Sequence, residues 1–221
     1  MKFGWGPLIS IIGPEGAGKS TTVENLHKYL RQKGIKVSFL FFGRGNKNII
    51  PINKLNKMFK KEKREKYTTI KTNVNDEKIE EIRKEKISLK KRGVHTCASF
   101  ILTADMMLRY LVHIIPKRIQ NQIVITDRYV SDLYNMENVP KGIRSFLVRL
   151  FPIPTITFYI YNTIEVMHER KKRNISDLEW QVQNFAVLNK RFGSFSIKTE
   201  NKEEAINQII TVINEKLNCK Y

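Results

Sequence analysis

The sequence predicts an α/β protein with a parallel sheet of about five strands and helices on both faces of that sheet. Short apolar runs of strand length alternate with longer segments of helical periodicity. The first run, residues 8–12, leads through a glycine-rich turn into a helix predicted over residues 21–33. Gly34 is a suitable helix C-cap before a second apolar run at residues 35–42. This order predicts a right-handed crossover between parallel strands.

Length and composition favour one domain spanning residues 1–221, with an inserted subregion. The two cysteines, Cys97 and Cys219, are too few for a disulfide framework, and the first residues lack the apolar core of a signal peptide. We therefore expect a cytoplasmic protein. The apolar stretch 100–115 contains Asp105, Arg109 and His113, which favours a core helix over a membrane span.

The glycine-rich turn after the first strand matches a phosphate-binding motif. Its residues, Gly13-Pro14-Glu15-Gly16-Ala17-Gly18-Lys19-Ser20, fit G-x-x-x-x-G-K-[ST], the P-loop. In such a loop the backbone N–H groups and the helix N-terminus surround phosphate oxygens. We expect residues 13–20 and Thr21 to bind ATP, with Lys19 on the β- and γ-phosphates and Ser20 on Mg²⁺. The alternative is a glycine-rich turn with a solvated lysine.

A second group of reactive side chains follows the apolar run at residues 123–126. Asp127, Arg128 and Tyr129 stand at the carboxyl end of this predicted strand. An acid there can hold the water shell of Mg²⁺ or receive a proton from a hydroxyl group, and the adjacent arginine can bind a phosphate. A charged pair directly after a buried strand favours a functional role over a structural one.

Two further sites are candidates for binding the phosphate acceptor. Arg44 follows the second strand, which we place beside the first one, so its loop faces the ligand crevice; a surface-turn arginine is the alternative. A long helix is predicted over residues 96–119, with an interruption at Pro116. In this helix Asp105 and Arg109 are four residues apart, which suits either a surface ion pair or a pair facing the substrate. The predicted inward face of the helix is apolar: Phe100, Ile101, Ala104, Met107, Leu108, Leu111, Val112 and Ile115.

The remaining third of the chain continues the alternation of strands and helices. We predict helices over residues 142–151, 164–173, 178–191 and 202–217, and strands over residues 155–161 and 195–197. Residues 170–173 carry four cations. A solvated helix end explains them, but a lid over residues 168–178 that carries Arg170 and Arg173 onto a transferring phosphate explains them better.

The formal net charge of +19 raises the question of nucleic-acid binding. Residues 54–92 hold 15 Lys or Arg and 7 Asp or Glu. The acids are interleaved with the cations there, and aromatic residues that could stack on bases are scarce, so the pattern does not favour nucleic acid as the partner. We predict that residues 46–92 form a charged, partly helical insertion on the substrate side.

Together these parts resemble the thymidylate kinase-like nucleoside monophosphate kinases. The resemblance covers most of the chain and is carried by the P-loop with Glu15, Ala104-Asp105, Thr126-Asp127-Arg128-Tyr129, residues 154–160 before the arginine-rich lid, and Lys198-Thr199-Glu200. It implies that Glu15 contacts the nucleotide sugar and that Asp127 and Arg128 organise metal and acceptor phosphate. It also implies that Arg170 and Arg173 supply charge to the transition state.

The chain departs from this family mainly at positions that recognise the acceptor. Met106 stands where the family has an arginine, Gly43-Arg44-Gly45 replaces a Pro-Gly-Gly loop, and Tyr161 replaces an acid. The segment after Tyr129 lacks the usual Ser-x-x-Ala-Tyr pattern.

The resemblance implies transfer of the ATP γ-phosphate to a (deoxy)nucleoside monophosphate such as dTMP, with ATP and Mg²⁺ required. The expected acceptor-binding residues are Glu15, Arg44, Asp105, Arg109, Arg128 and Tyr129. Three alternatives stay open: a kinase of a sugar or sugar phosphate, a nucleic-acid-binding NTPase, and a nucleotide-binding regulator without transfer activity. We expect a small-molecule acceptor as the partner, and we expect no association with a membrane. A homodimer is left open.

Overall fold

The computed structural model describes residues 4–44, 48–50 and 89–217. These residues form an α/β fold in which a sheet of five parallel strands is flanked by helices, as the sequence predicts. The strand order is β2-β3-β1-β4-β5, with the first strand of the chain at the centre.

The strands are β1 (Leu8–Ile12), β2 (Val37–Phe41), β3 (Ile123–Asp127), β4 (Ile156–Tyr161) and β5 (Phe195–Lys198). The helices in the described residues are α1 (Lys19–Gln32), α2 (Leu89–Arg109), a π-helical turn (Tyr110–Ile114), α3 (Ile115–Ile119), α4 (Ser131–Tyr134), α5 (Lys141–Arg149), α6 (Ile164–Lys171), α7 (Ile175–Phe192) and α8 (Lys202–Leu217). The predicted boundaries agree within three residues, except at the start of α2. Helix α1 begins at Lys19, two residues before its predicted start.

The central strand separates two apolar cores because its side chains alternate between the two faces of the sheet. Leu8 and Ile12 lie in the core shared with α2, α4, α5 and α7. Ile9 and Ile11 lie in the core shared with α1 and α8. All five residues of β1 are buried, which is typical of a central parallel strand covered by helices on both sides.

The position of β2 corrects one prediction. β2 pairs with β3, in the register Val37 to Ile123 and Phe41 to Asp127, and β3 lies between it and β1. β2 is therefore an edge strand rather than the neighbour of β1, and its side chains are only partly buried. An apolar run of this length is equally compatible with an edge or a central strand, so sequence alone did not decide its place.

The face that α2 buries corrects a second prediction. The apolar side chains that we expected to point inward are largely exposed, Phe100 at 47%, Leu111 at 49% and Val112 at 55%. The buried face carries Leu102, Met106, Tyr110 and Ile114 together with the charged side chains of Asp105 and Arg109. The predicted stripe is apolar, but the helix buries a different face, on which apolar side chains lie together with a pair of opposite charges.

Helix α2 also begins and changes course at unexpected places. It starts at Leu89 rather than residue 96, and the interruption is the π-helical turn before Pro116, which itself lies in the first turn of α3. Among the described helices, Arg92–Ile119 is long and apolar enough to cross a membrane by length and composition, and 44% of its apolar window is buried within the protein. Our predictions for residues 45–47 and 51–88 fall outside the described residues.

We predict that Met106 contributes to stability through the core and not through any ligand. Its side chain is fully buried, so Met106→Ala should lower the free energy of unfolding by about 2–5 kcal/mol, because it leaves a cavity. The matched control is Leu108→Ala, two residues along the same helix and 41% exposed, with an expected change within about 0.5 kcal/mol. Urea unfolding of the three proteins measures both; equal losses would contradict the placement of this helix face.

Candidate functional site

The glycine-rich loop lies where β1 ends and α1 begins, and it is packed tightly from behind. A Cβ atom at Gly13 would lie 2.0 Å from the carbonyl oxygen of Ile160 in β4, and one at Gly16 would lie 2.7 Å from that of Met167 in α6. Both glycines also have positive φ angles, 151° and 84°. Any side chain at either position would therefore displace the loop from the sheet or from α6.

The N-terminus of α1 opens into a crevice of about 340 Å³. Gly18 is the N-cap residue, no side chain caps the helix, and its first turn contains no acid. The first N–H groups of a helix have no partner within it and carry the positive end of the helix dipole. The residues lining the crevice are Glu15, Gly16, Gly18, Lys19, Ser20, Thr21, Thr22, Asn25, Arg128, Arg170, Lys171, Thr199, Lys202, Ala205 and Ile206. Such a helix end suits an anion.

Lys19 is the buried cation of this crevice. It is 6% exposed, and its Nζ donates a hydrogen bond to the carbonyl oxygen of Pro14. Burial and, to a lesser extent, the nearby Arg128 lower the pKa of Lys19 to about 8, although Asp127, Asp132 and Glu15 favour its charged form. A phosphate group in the crevice would place a negative charge next to this ammonium group and so stabilise its charged form.

Asp127 lies beside Ser20, which is one of the residues that line the crevice. The Ser20 hydroxyl donates a hydrogen bond to Asp127 Oδ2 over 3.2 Å. Asp127 is 2% exposed, and its Oδ1 is buried with no hydrogen-bond partner. Burial raises the pKa of Asp127, and the positive charges of Lys19 and Arg128 only partly offset this effect. The unpaired carboxylate oxygen is the expected position for a bound cation.

The donor set around Asp127 fits Mg²⁺. This ion prefers oxygen ligands and is usually bound by one or two protein groups together with water and phosphate oxygens. Ser20 Oγ and the unpaired Asp127 Oδ1 supply such oxygens beside the anion site. In the described ranges no group of three or more His, Cys, Asp or Glu side chains could hold a metal ion.

The backbone after β3 is strained and sends neighbouring side chains in opposite directions. Arg128 and Tyr129 have φ angles of 71° and 23°, in a region that costs a non-glycine residue about 1–3 kcal/mol. The carbonyl of Arg128 accepts hydrogen bonds from the N–H and hydroxyl groups of Ser131, which hold the turn. Arg128 thereby reaches the crevice.

Tyr129 lies in the core, contrary to our expectation that it contacts the acceptor. Its side chain is 0% exposed, its hydroxyl donates to the carbonyl oxygen of Pro152 over 2.8 Å, and its ring stacks on Phe42. The turn that exposes Arg128 is the physical reason, because it directs the next side chain inward. Tyr129 supports the turn from below and does not face the crevice.

Glu15 joins the glycine-rich loop to the predicted lid. Its carboxylate accepts a hydrogen bond from Arg173 Nε over 2.8 Å, and Arg128 Nη1 lies 3.9 Å from its other oxygen. Arg170 Nη1 donates to the carbonyl oxygen of Gly16 over 3.3 Å. The two predicted lid arginines therefore both lie against the loop, as part of α6 and of the connection between α6 and α7.

Asp105 and Arg109 correct a further expectation. They form an ion pair of 2.9 Å whose side chains are 0% and 3% exposed, so the pair is neither on the surface nor facing the crevice. Asp105 accepts from the backbone N–H of Ile50, and Arg109 donates to the carbonyl oxygen of Gly43. The pair fastens the loop after β2 to α2. Arg44, in the same loop, is exposed.

Sequence reasoning did not identify three polar residues that position the site. Gln181 in α7 accepts a hydrogen bond from the backbone N–H of Glu15 over 3.0 Å. Thr199, after β5, donates to the carbonyl oxygen of Ala17 over 2.6 Å. Asp132 in α4 accepts from the backbone N–H of Arg44 over 2.7 Å. Only Thr199 had a signal, since it lies in a motif of the family resemblance; the other two act over long sequence separations.

In the comparison with known proteins, no protein-family model matches the chain, and no curated protein matches it significantly.

We predict that Lys19→Met leaves the fold intact and stabilises it at pH 7. The pKa of Lys19 lies below its ordinary value in the folded state, so the unfolded chain binds more protons between pH 8 and 10.5. The charged lysine thus opposes folding below pH 8, and its neutral replacement should gain up to about 3 kcal/mol there. The gain should shrink as the pH rises towards 10.5.

Thermal melting of both proteins between pH 7 and 10.5 measures this difference. Lys28→Met, which changes an exposed lysine of the same helix, is the matched control and should differ from the unmodified protein by less than about 0.5 kcal/mol at every pH. A Lys19→Met protein that melts several degrees lower at pH 7 would show that the ammonium group stabilises the fold instead.

Proposed function

We propose that this protein is a P-loop phosphotransferase that uses Mg·ATP, and that it acts as a thymidylate kinase-like nucleoside monophosphate kinase. The observation that carries the proposal is the buried Lys19 beside the Ser20–Asp127 pair, all at the uncapped N-terminus of α1. The cation and the unpaired N–H groups lie at one crevice, and Ser20 in its wall is hydrogen-bonded to Asp127. This combination suits the terminal phosphates of a nucleoside triphosphate.

The residues of the crevice would act mainly by positioning and by stabilising charge. Lys19 and the N–H groups of the loop bind the β- and γ-phosphates, and Ser20 and Asp127 hold Mg²⁺. When bound, Mg²⁺ neutralises charge on the phosphate oxygens. Arg128 binds the phosphate of the acceptor. Glu15 holds Arg128 and Arg173 near the loop until the ligands are in place.

Arg170 and Arg173 would provide positive charge above the transferring phosphoryl group. Their contacts with Gly16 and Glu15 are between partly exposed groups, so phosphate oxygens can replace them at little cost. Closure of this segment would exclude water and so prevent hydrolysis of ATP.

The acceptor has two candidates. A nucleoside monophosphate such as dTMP follows from the family resemblance, and Arg128 is placed to bind its phosphate. A smaller acceptor, such as a sugar or sugar phosphate, is favoured by one observation: Met106, which stands where the family has an arginine that helps to hold the base, is fully buried in the core. A cytoplasmic location and a homodimer remain expectations. Most of the basic segment 54–92, on which a nucleic-acid-stimulated NTPase would depend, lies outside the described residues.

The assay that tests the proposal measures ADP release from Mg·ATP with a panel of acceptors. The panel contains dTMP, dUMP, the other nucleoside monophosphates and several sugar phosphates. Turnover with a nucleotide supports the first candidate, and turnover with a sugar phosphate alone supports the second. ATP binding without turnover of any acceptor would contradict the kinase proposal.

We predict that Ser20→Ala lowers kcat at least about 100-fold, because the metal loses an oxygen ligand at the transferring phosphate. The fold should persist, since Ser20 is exposed and its one hydroxyl bond is to Asp127. Lys28→Met serves as the control in the same helix. A fall in activity that excess Mg²⁺ fully restores would show weaker metal binding, whereas unchanged kcat would remove Ser20 from the site.

We predict that Arg173→Ala lowers kcat about 10- to 1,000-fold while the affinity for Mg·ADP changes little, because a lid arginine contributes charge mainly in the transition state. Arg149→Ala removes an exposed arginine from α5 and is the matched control. Steady-state kinetics and calorimetric titration with Mg·ADP separate the two effects. A loss of ADP affinity equal to the loss of kcat would make Arg173 a general nucleotide-binding group.

A further inference from the structure

We propose that Asp132 is the positioning residue of the acceptor end of the site and acts through Arg128. The proposal rests on the proposed function, in which Arg128 binds the acceptor phosphate. Asp132 lies in α4, one turn after Arg128.

The carboxylate of Asp132 links two elements that border the crevice. Oδ2 accepts the backbone N–H of Arg44 over 2.7 Å, which ties down the loop after β2. Oδ1 lies 3.8 Å from Arg128 Nη1, at the strained turn after β3. The Asp132 side chain is only 9% exposed. A carboxylate this buried costs free energy unless charged or polar groups surround it, and Arg44 N–H and Arg128 are those groups.

The surroundings leave Arg128 little freedom. A Cβ atom at Gly43 would lie 2.7 Å from Arg128 Cδ and 2.9 Å from Asp132 Oδ2, so loop, arginine and acid are already in close contact. The guanidinium group also lies over the ring of Phe41, 5.8 Å from its centroid. Gly43 itself is held by the hydrogen bond from Arg109. A chain of contacts therefore runs from α2 through this loop to Arg128.

The distances around Arg128 suit a group that must still bind a ligand. Glu15 and Asp132 lie 3.9 and 3.8 Å from its Nη1, beyond hydrogen-bond length. The two carboxylates can thus orient the guanidinium by charge, and neither takes one of its N–H groups in a short bond. Those donors stay available for the planar, bidentate recognition of phosphate in which arginine excels.

The sign of the effect separates positioning from simple charge. Asp132→Asn keeps the size of the side chain and an oxygen that can accept the Arg44 N–H, but removes one negative charge next to Arg128. If Asp132 only weakened the positive field, this variant would bind phosphate more tightly. If Asp132 positions Arg128, binding weakens although the site has become more positive.

The experiment titrates dTMP, with inorganic phosphate as a second probe, into the Mg·ADP-loaded protein by calorimetry. It compares the unmodified protein, Asp132→Asn, Arg128→Gln and the double variant, with Glu137→Gln as the control. Glu137 is an exposed acid just after α4, so its replacement makes the same change in net charge. Circular dichroism and urea midpoints establish that each variant is folded, and dTMP turnover is assayed in parallel.

We expect Asp132→Asn to raise the Kd for dTMP about tenfold. Glu137→Gln should change the Kd for dTMP less than about twofold, and the Kd for Mg·ADP should change less than about twofold in both variants. In the Arg128→Gln background, Asp132→Asn should have no further effect, because residues that act through one another are not additive. Tighter or unchanged dTMP binding by Asp132→Asn, or an additive loss in the double variant, would overturn the inference. So would an unmodified protein that binds neither probe. Binding of dTMP that responds as expected but without turnover would sustain the role of Asp132 and reject dTMP as the phosphorylated acceptor.

Discussion

The pairing of β1 with β3 is the constraint on which the whole site depends. The two strands run parallel with Ile11 opposite Asp127, so the glycine-rich loop and the acid leave the sheet at the same edge. The backbone N–H of Arg128 donates to the carbonyl oxygen of Ile11, which continues the pairing past the end of β3. A shift of one residue in the register between β1 and β3 would turn the Asp127 side chain to the other face of the sheet, away from Ser20.

The site combines buried charge with strained backbone, and its supports explain how both persist. Lys19 and Asp127 are nearly inaccessible to water. Burial lowers the pKa of Lys19 and raises the pKa of Asp127, so both shifts favour the neutral form. Buried charges and strained backbone both lower the free energy of unfolding, and they persist only where the surrounding packing holds the residues in place. Here β4 and α6 pack directly against the loop glycines, and Tyr129 fills the core beneath the turn.

Helix α2 buries a pair of opposite charges together with apolar side chains. The Asp105–Arg109 pair lies on the buried face of the helix beside Leu102 and Met106, and it is hydrogen-bonded to the backbone of Ile50 and Gly43. Other apolar side chains of the same helix, among them Phe100 and Leu108, are exposed. The backbone N–H of Arg44 in the loop after β2 donates to Asp132, and Asp132 lies beside Arg128, which lines the crevice.

The sequence by itself determined the alternation of strands and helices, the glycine-rich loop with Lys19 and Ser20, and the acid at the end of β3. These features are local: they follow from periodicity within ten or twenty residues and from the small number of residue types that such turns tolerate. The tertiary structure decided that β2 lies at the edge, that α2 buries the face with Asp105, Met106 and Arg109, and that Tyr129 packs inward. It also brought Gln181, Thr199 and Asp132 to the loops that they support. Those contacts join residues up to 182 positions apart, and their free energy comes from burial and hydrogen bonding between elements, which no single segment of the chain encodes.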